Sequence, residues 1–190
     1  MKMLFLWAMP CQGGFYVSGN LGIAFTEFIP ENKMGKAKPD IAQDRCAKGG
    51  SVSFLAGYGL VMGGKYIGGR LQIPGKDWGE VRTEFSMPVF FGVQPVLGLY
   101  LTPSNLFYVA PGIEISLNKH ARHHKDENHK TDWGWVISVG SRTMITGHLF
   151  WHIEGTYVHH NKATDEIKDL NIDWFNKHSL RVCIGGGYNF

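Results

Sequence analysis

The stretch that decides the fold runs from Ser86 to Ile115, SMPVFFGVQPVLGLYLTPSNLFYVAPGIEI. No residue from Ser86 to Ile113 is charged, so a hydropathy window reads a membrane-crossing helix. Pro88, Pro95, Pro103 and Pro111 contradict that reading. Each would remove a helical hydrogen bond and clash with the preceding turn, at about 3 kcal/mol in a helix interior. The residues instead alternate. Phe91, Val93, Pro95, Leu97 and Leu99 share one face, and Gly92, Gln94, Val96 and Gly98 the other. Beyond the turn signal Thr102-Pro103-Ser104-Asn105, Phe107, Val109, Pro111, Ile113 and Ile115 alternate with Tyr108, Ala110, Gly112 and Glu114. A period of two is that of a strand, so the stretch is a β-hairpin with one greasy face. Pro95 and Pro111 each remove a ladder donor, so a bulge or local distortion is expected there.

The same period runs outward in both directions. Val17, Leu21, Ile23 and Phe25 alternate with Ser18, Asn20, Gly22 and Ala24. Val52, Phe54, Ala56, Tyr58 and Leu60 form a second apolar face; Ile67, Leu71 and Ile73 oppose Gly68, Arg70 and Gln72. Trp133, Trp135, Ile137 and Val139 oppose Gly134, Ser138, Gly140 and Arg142, and Trp151, Ile153 and Tyr157 oppose His152, Glu154 and Thr156. The chain closes with Leu180, Val182, Ile184, Tyr188 and Phe190 against Arg181, Cys183, Gly185, Gly187 and Asn189. Eight strands are expected. Short turns at Gly63-Gly64, Pro103–Asn105 and Gly147-His148 alternate with long hydrophilic segments at Glu27–Gly50, Gly75–Met87, Lys119–Asp132 and Lys162–Lys177. Ala163–Leu170 is the one stretch with a helical period. In an up-and-down barrel this order places four long loops on one rim and the short turns on the other.

The bulky, aromatic face is the apolar one, while Gly, Ser, Ala and single charges occupy the other. A soluble barrel buries its apolar face. Small residues with a few charges suit the interior of an eight-stranded barrel, which side chains just fill, leaving the bulky face to lipid. The expected fold is therefore all-β: an eight-stranded antiparallel up-and-down transmembrane β-barrel. Phe190 then ends a lipid-facing column at the short-turn rim.

Composition agrees with one such domain. The 190 residues include 25 Gly and 13% aromatics, with only 18% charged. A net charge of +3 gives no reason to expect nucleic acid. Cys11, Cys46 and Cys183 are too few and scattered for a disulfide framework or a zinc site. MKMLFLWAMPCQ, residues 1–12, reads as a shortened export signal, with the barrel occupying residues 13–190.

Several stretches resemble the OmpA/opacity-type outer-membrane β-barrel family of Gram-negative bacteria. They are GFYVSGNLGIAF, FLAGYGL, YIGGRLQI, LGLYLTPSNLFYVAPGIEIS, LFWHIEGTYVHHN and the terminal IGGGYNF. The resemblance implies the bacterial outer membrane, a bilayer bearing lipopolysaccharide, and short turns facing the periplasm. It also implies that Tyr188 and Phe190 belong to the signal read by the barrel-assembly machinery. Arg70 departs from the family, which more often carries an acidic residue in that lumen position.

Two groups of residues could carry function. On the lumen face, Arg70, Arg142 and Arg181 are expected to pair with Glu114 and Glu154, with His152 between them, because unpaired buried ions are costly. Such a network is either a plug or a narrow ion path. The third long loop holds Lys119, His120, Arg122, His123, His124, Lys125, His129 and Lys130, with His159 and His160 rising towards the same rim. Its charge suits a polyanion such as a sulfated glycan or a lipopolysaccharide phosphate on a host or bacterial surface. Its imidazoles suit zinc, copper or nickel, and a solvated loop with no ligand is the plain alternative. The expected role is structural, with adhesin- or virulence-type contacts through the loops; a narrow porin is the runner-up. A lipid A acyl hydrolase is a third reading. It would need His-x-Ser near the end of strand seven, where His159-His160-Asn161 lacks the serine and Ser179 lies one strand away beside His178. Neither enzymatic activity nor a cofactor is expected.

Overall fold

The computed structural model describes residues 12–30, 46–78, 89–118, 130–163 and 175–190. Residues 1–11 of the expected signal segment, the loop residues 119–129 and residues 164–170 of the stretch with a helical period lie outside them, while Gln12 and Ala163 fall in strands. All elements among the described residues are strands: β1 (Gln12–Pro30), β2 (Cys46–Met62), β3 (Lys65–Trp78), β4 (Val89–Thr102), β5 (Asn105–Asn118), β6 (Lys130–Met144), β7 (Leu149–Ala163) and β8 (Phe175–Asn189). Each pairs antiparallel with the next, and β8 pairs back onto β1, so the sheet closes as β1-β2-β3-β4-β5-β6-β7-β8. Closure gives every strand two partners, as a bilayer demands of a backbone it cannot hydrate.

Alternation sets the two faces. Leu21, Val93, Leu97, Ile113 and Ile184 stand outward and exposed. Ser18, Asn20, Arg70, Gln94, Glu114, Ser138, Arg142, His152, Glu154, Thr156 and Arg181 stand inward and buried. The lumen is less small-residue in character than the sequence pattern suggested. Tyr16, Tyr66, Phe90, Tyr108 and Phe150 also point into it. Glycines on neighbouring strands make the room: a Cβ on Gly59 would overlap the Tyr66 ring, and one on Gly140 the Tyr108 ring.

The strands run further than their apolar stretches. Hydrocarbon is crossed by about 9–11 tilted residues, yet β1 has 19 residues and β6, β7 and β8 have 15 each. Pairing continues into segments expected to be loop, such as Glu27↔His178 and Asn118↔Lys130, because a backbone ladder needs no apolar side chain. Between β2 and β3, Gly63 and Gly64 have φ of 55° and 79°. Two successive positive values define the tight hairpin turn that matches strand twist, and glycine adopts them without strain.

The prolines produce the expected local distortion, in a form other than a bulge. The register of β4 on β5 is the same on both sides of Pro95 and Pro111, from Val93↔Ile113 to Leu97↔Val109. There is no bulge there. Instead the three intervening pairs, centred on Pro95 opposite Pro111, are missing from the ladder. Hydrogen-bonded and non-bonded pairs alternate along an antiparallel ladder. Two opposed prolines at a bonded position can exchange neither bond, and the flanking pairs, defined by the same bonds, disappear with it. The bulge falls instead on β3, where the register shifts against both neighbours around Pro74. Proline is tolerated at a bulge because no ladder donor is needed there.

Candidate functional site: the lumen and the outer rim

Three layers of polar and aromatic side chains fill the barrel. In the middle layer, Arg70 on β3 reaches across to Glu154 on β7, on the opposite wall of an eight-stranded ring. Its two terminal nitrogens donate to the two carboxylate oxygens at 2.5 and 3.0 Å. Glu154 also accepts from the Tyr108 hydroxyl at 2.7 Å and from Thr156 Oγ1 at 3.0 Å. Arg70 Nε donates to Gln94 Oε1 at 2.6 Å, Gln94 Nε2 donates to Ser138 Oγ at 3.2 Å, and Ser138 meets Thr156 at 2.8 Å. The carboxylate thus receives four hydrogen bonds, the condition under which a buried ion is tolerated.

Towards the long-loop rim, Arg181 on β8 donates twice to Glu114 on β5, at 2.6 and 2.8 Å. Its guanidinium lies 3.8 Å from the centre of the Phe90 ring. His160 Nε2 stands 3.8 Å from the same carboxylate. Towards the short-turn rim, Arg142 departs from the network expected of it. Among the described residues it meets no carboxylate at ion-pair distance. Its guanidinium lies between Tyr16 and Phe150, 4.1 and 4.3 Å from the two ring centres. Cation–π attraction, strengthened by desolvation, takes the place of a counter-ion. His152 does not bridge the ion pairs either; it packs on Phe150 with ring centres 5.9 Å apart.

The residues that complete the Arg70–Glu154 pair carry no charge to mark them in the sequence. Tyr108, Gln94, Ser138 and Thr156 share the inward phase with the charges, and that parity was the available signal. Arg70 and Glu154 lie four strands apart and Arg181 and Glu114 three, so the side chains span the bore from wall to wall.

Outside, the structure separates residues that the sequence reading grouped. His159 and His160 are adjacent and so face opposite sides of the sheet. His160 is buried in the lumen, whereas His159 stands on the outer wall against Trp135, with ring centres 5.3 Å apart. The same parity splits His178 from Ser179. Ser179 is buried and meets Thr26 Oγ1 at 3.0 Å, whereas His178 packs outward on Tyr157 and His159. Of the residues considered for acyl transfer, Ser179 therefore lies on the opposite face of the barrel wall from His159 and His178, and shares the inward face only with His160. At the short-turn rim, Tyr188 stacks on His148 and contacts Phe190, which in turn contacts Phe15, with ring centres 5.1 to 5.8 Å apart. This is an aromatic girdle of the kind that marks a membrane interface.

Comparison with known proteins agrees with this architecture. No functionally curated protein matches the chain in sequence. Among solved structures it is similar to Neisserial surface protein A, with 15% identity, a TM-score of 0.63 and coverage of 93% of this chain and 97% of that one. It is also similar to Ail, the attachment invasion locus protein of Yersinia pestis, solved with the heparin analogue sucrose octasulfate. There the identity is 11%, the TM-score 0.53, and coverage 93% of this chain and 99% of Ail. The outer membrane protein AlkL, determined in lipid bilayers, gives 15% identity and a TM-score of 0.53, covering 96% of this chain and 92% of that one. At these identities the likeness speaks for the fold. The sequence profile of the outer membrane protein beta-barrel domain matches residues 8–190. The chain belongs to the outer membrane protein β-barrel domain family, and its place is the bacterial outer membrane.

Proposed function

We propose that this barrel is a closed pedestal whose work is done by its long loops, as a surface protein that contacts polyanions on host or bacterial surfaces. The observation that carries this reading is the filled lumen. Two bidentate ion pairs reach between well-separated strands, and an arginine held between two rings lies beneath them. A bore occupied in this way argues against bulk conduction and turns attention to the rim. The segment Lys119–Lys130 supplies four cationic residues against Asp126 and Glu127, with four histidines interspersed. That balance favours sulfate and phosphate groups. The fold shared with Ail, which was solved with a heparin analogue, supports the same ligand chemistry. In this reading Tyr188 and Phe190 serve assembly, as the signal met by the barrel-assembly machinery.

The test compares the full chain in detergent micelles with a variant whose residues 119–129 are replaced by a short Gly-Ser linker. Both are applied to immobilised heparin and to vesicles containing lipopolysaccharide. The full chain is expected to bind at least one of these in a salt-sensitive manner, and the variant to lose that binding while keeping its heat-dependent gel shift. Heparin binding alone indicates a sulfated glycan, and vesicle binding alone indicates lipopolysaccharide phosphates. Equal binding by the two chains would overturn the assignment to this loop.

A further inference from the structure

The outer wall carries a cluster that loop binding does not use. Glu27 on β1, His178 on β8, His159 on β7 and Trp135 on β6 stand in one row, each paired with the next. Directly opposed side chains on one face have Cβ atoms about 5 Å apart, so such a row brings functional groups into reach. In this one, His159 Nδ1 and His178 Nδ1 are 3.2 Å apart. The Tyr157 hydroxyl oxygen lies 2.5 Å from the same nitrogen of His178.

A ring nitrogen of neutral imidazole carries either one proton or one lone pair. His178 Nδ1 therefore serves one of its two polar neighbours well and the other poorly. A cation seated against both imidazoles would use both nitrogen lone pairs together. The spacing fits. Zinc–nitrogen bonds of about 2.0–2.1 Å at a tetrahedral angle put the two nitrogens about 3.3 Å apart.

We propose that His159 and His178 form a clip for a transition-metal dication, zinc, nickel or copper(II), on the outer wall where β7 meets β8. These are ions that imidazole suits, whereas magnesium and calcium prefer oxygen. Among the described residues no three His, Cys, Asp or Glu side chains converge on one point. The clip is thus a two-nitrogen site. Water takes the remaining positions, with the Tyr157 hydroxyl beside it and the Glu27 carboxylate next in the row. The site uses none of the third-loop histidines and does not depend on the function proposed above.

The nine histidines of the chain allow a clean test. His120, His123, His124 and His129 are replaced by Asn in the full chain, leaving His159 and His178, the buried lumen pair His152 and His160, and His148 at the other rim. The refolded protein in micelles is titrated with zinc chloride against a chromophoric zinc indicator, with calcium chloride as control. One zinc per chain and no calcium response are expected. His159→Asn or His178→Asn is expected to weaken zinc binding at least about tenfold, since even outer-shell changes cost that much. Because a variant can fail to fold, the copper(II) spin-resonance spectrum of the unsubstituted clip supplies a second reading. Hyperfine splitting from two equatorial imidazole nitrogens supports the site. No zinc uptake, uptake unchanged in both Asn variants, or a copper signal with no imidazole nitrogen would overturn it.

Discussion

Replacing Glu154 with leucine removes the acceptor of four hydrogen bonds and leaves Arg70 facing it without a counter-ion. Arg70 is 3% exposed, so water cannot easily take over the role. Breaking a buried ion pair by removing one partner costs about 3–5 kcal/mol, and we expect Glu154→Leu to fall in that range. Arg70→Met should cost less, because the carboxylate keeps the Tyr108 and Thr156 hydroxyls as donors. The informative variant is the double one. With both charges gone, the remaining loss is the stranded donor of Tyr108 and a poorer partner for Gln94. Each orphaned neutral group costs about 1–3 kcal/mol. The double variant should therefore be more stable than Glu154→Leu alone, and the coupling energy should exceed about 2 kcal/mol. The assay is equilibrium urea unfolding in detergent micelles, followed by tryptophan fluorescence and the heat-dependent gel shift, with free energies from linear extrapolation. Additive effects would mean that the two side chains do not act as a pair. Single effects below about 1 kcal/mol would mean a hydrated lumen in which the charges do not depend on one another, and the plugged-bore reading would fall with them.

Other perturbations test separate features. Pro95→Val and Pro111→Val each return one ladder donor, so each should raise stability by about 0.5–1.5 kcal/mol in the same urea assay, and together they should roughly add. Gly59→Ala should destabilise by about 1–3 kcal/mol through overlap with the Tyr66 ring; combining it with Tyr66→Ala should cost less than the sum of the two. Phe190→Ser should leave refolding in detergent intact but reduce the amount of barrel recovered from outer membranes in cells; unchanged recovery would remove Phe190 from the assembly signal.

Much of this fold is written in parity. The alternation through 86–115 excludes a helix, and the same period elsewhere separates lipid-facing from lumen-facing residues from sequence alone. The order of short and long connections then implied strand neighbours. Parity says which wall a side chain leaves, but not how high it stands relative to a strand across the bore. That depends on the stagger of the closed sheet, so Arg70 could be placed inside but not assigned to Glu154. Charge alone predicts a carboxylate for Arg142; the aromatic residues of its own layer, Tyr16 and Phe150, meet it instead. The opposed prolines were hidden for a similar reason. The turn alone, with Thr102 paired to Asn105, would set Pro95 against Gly112; a one-residue irregularity between Tyr100 and Thr102 brings it opposite Pro111. His159 and His160 are neighbours in sequence, but alternation sends them to opposite faces.

The wall-to-wall ion pairs have a consequence for how the molecule forms. Arg70 and Glu154 are 84 residues apart in sequence, and Glu114 and Arg181 are 67 apart. Neither pair can form in a half-built sheet, because their strands meet across the bore only when the ring has closed. Until then, an open sheet in lipid would carry its arginines and glutamates towards hydrocarbon, where single charges are expensive. Partial sheets are therefore poor resting states, and high contact order makes closure slow. Insertion should proceed in a concerted manner, with all eight strands crossing together and the lumen charges finding one another last.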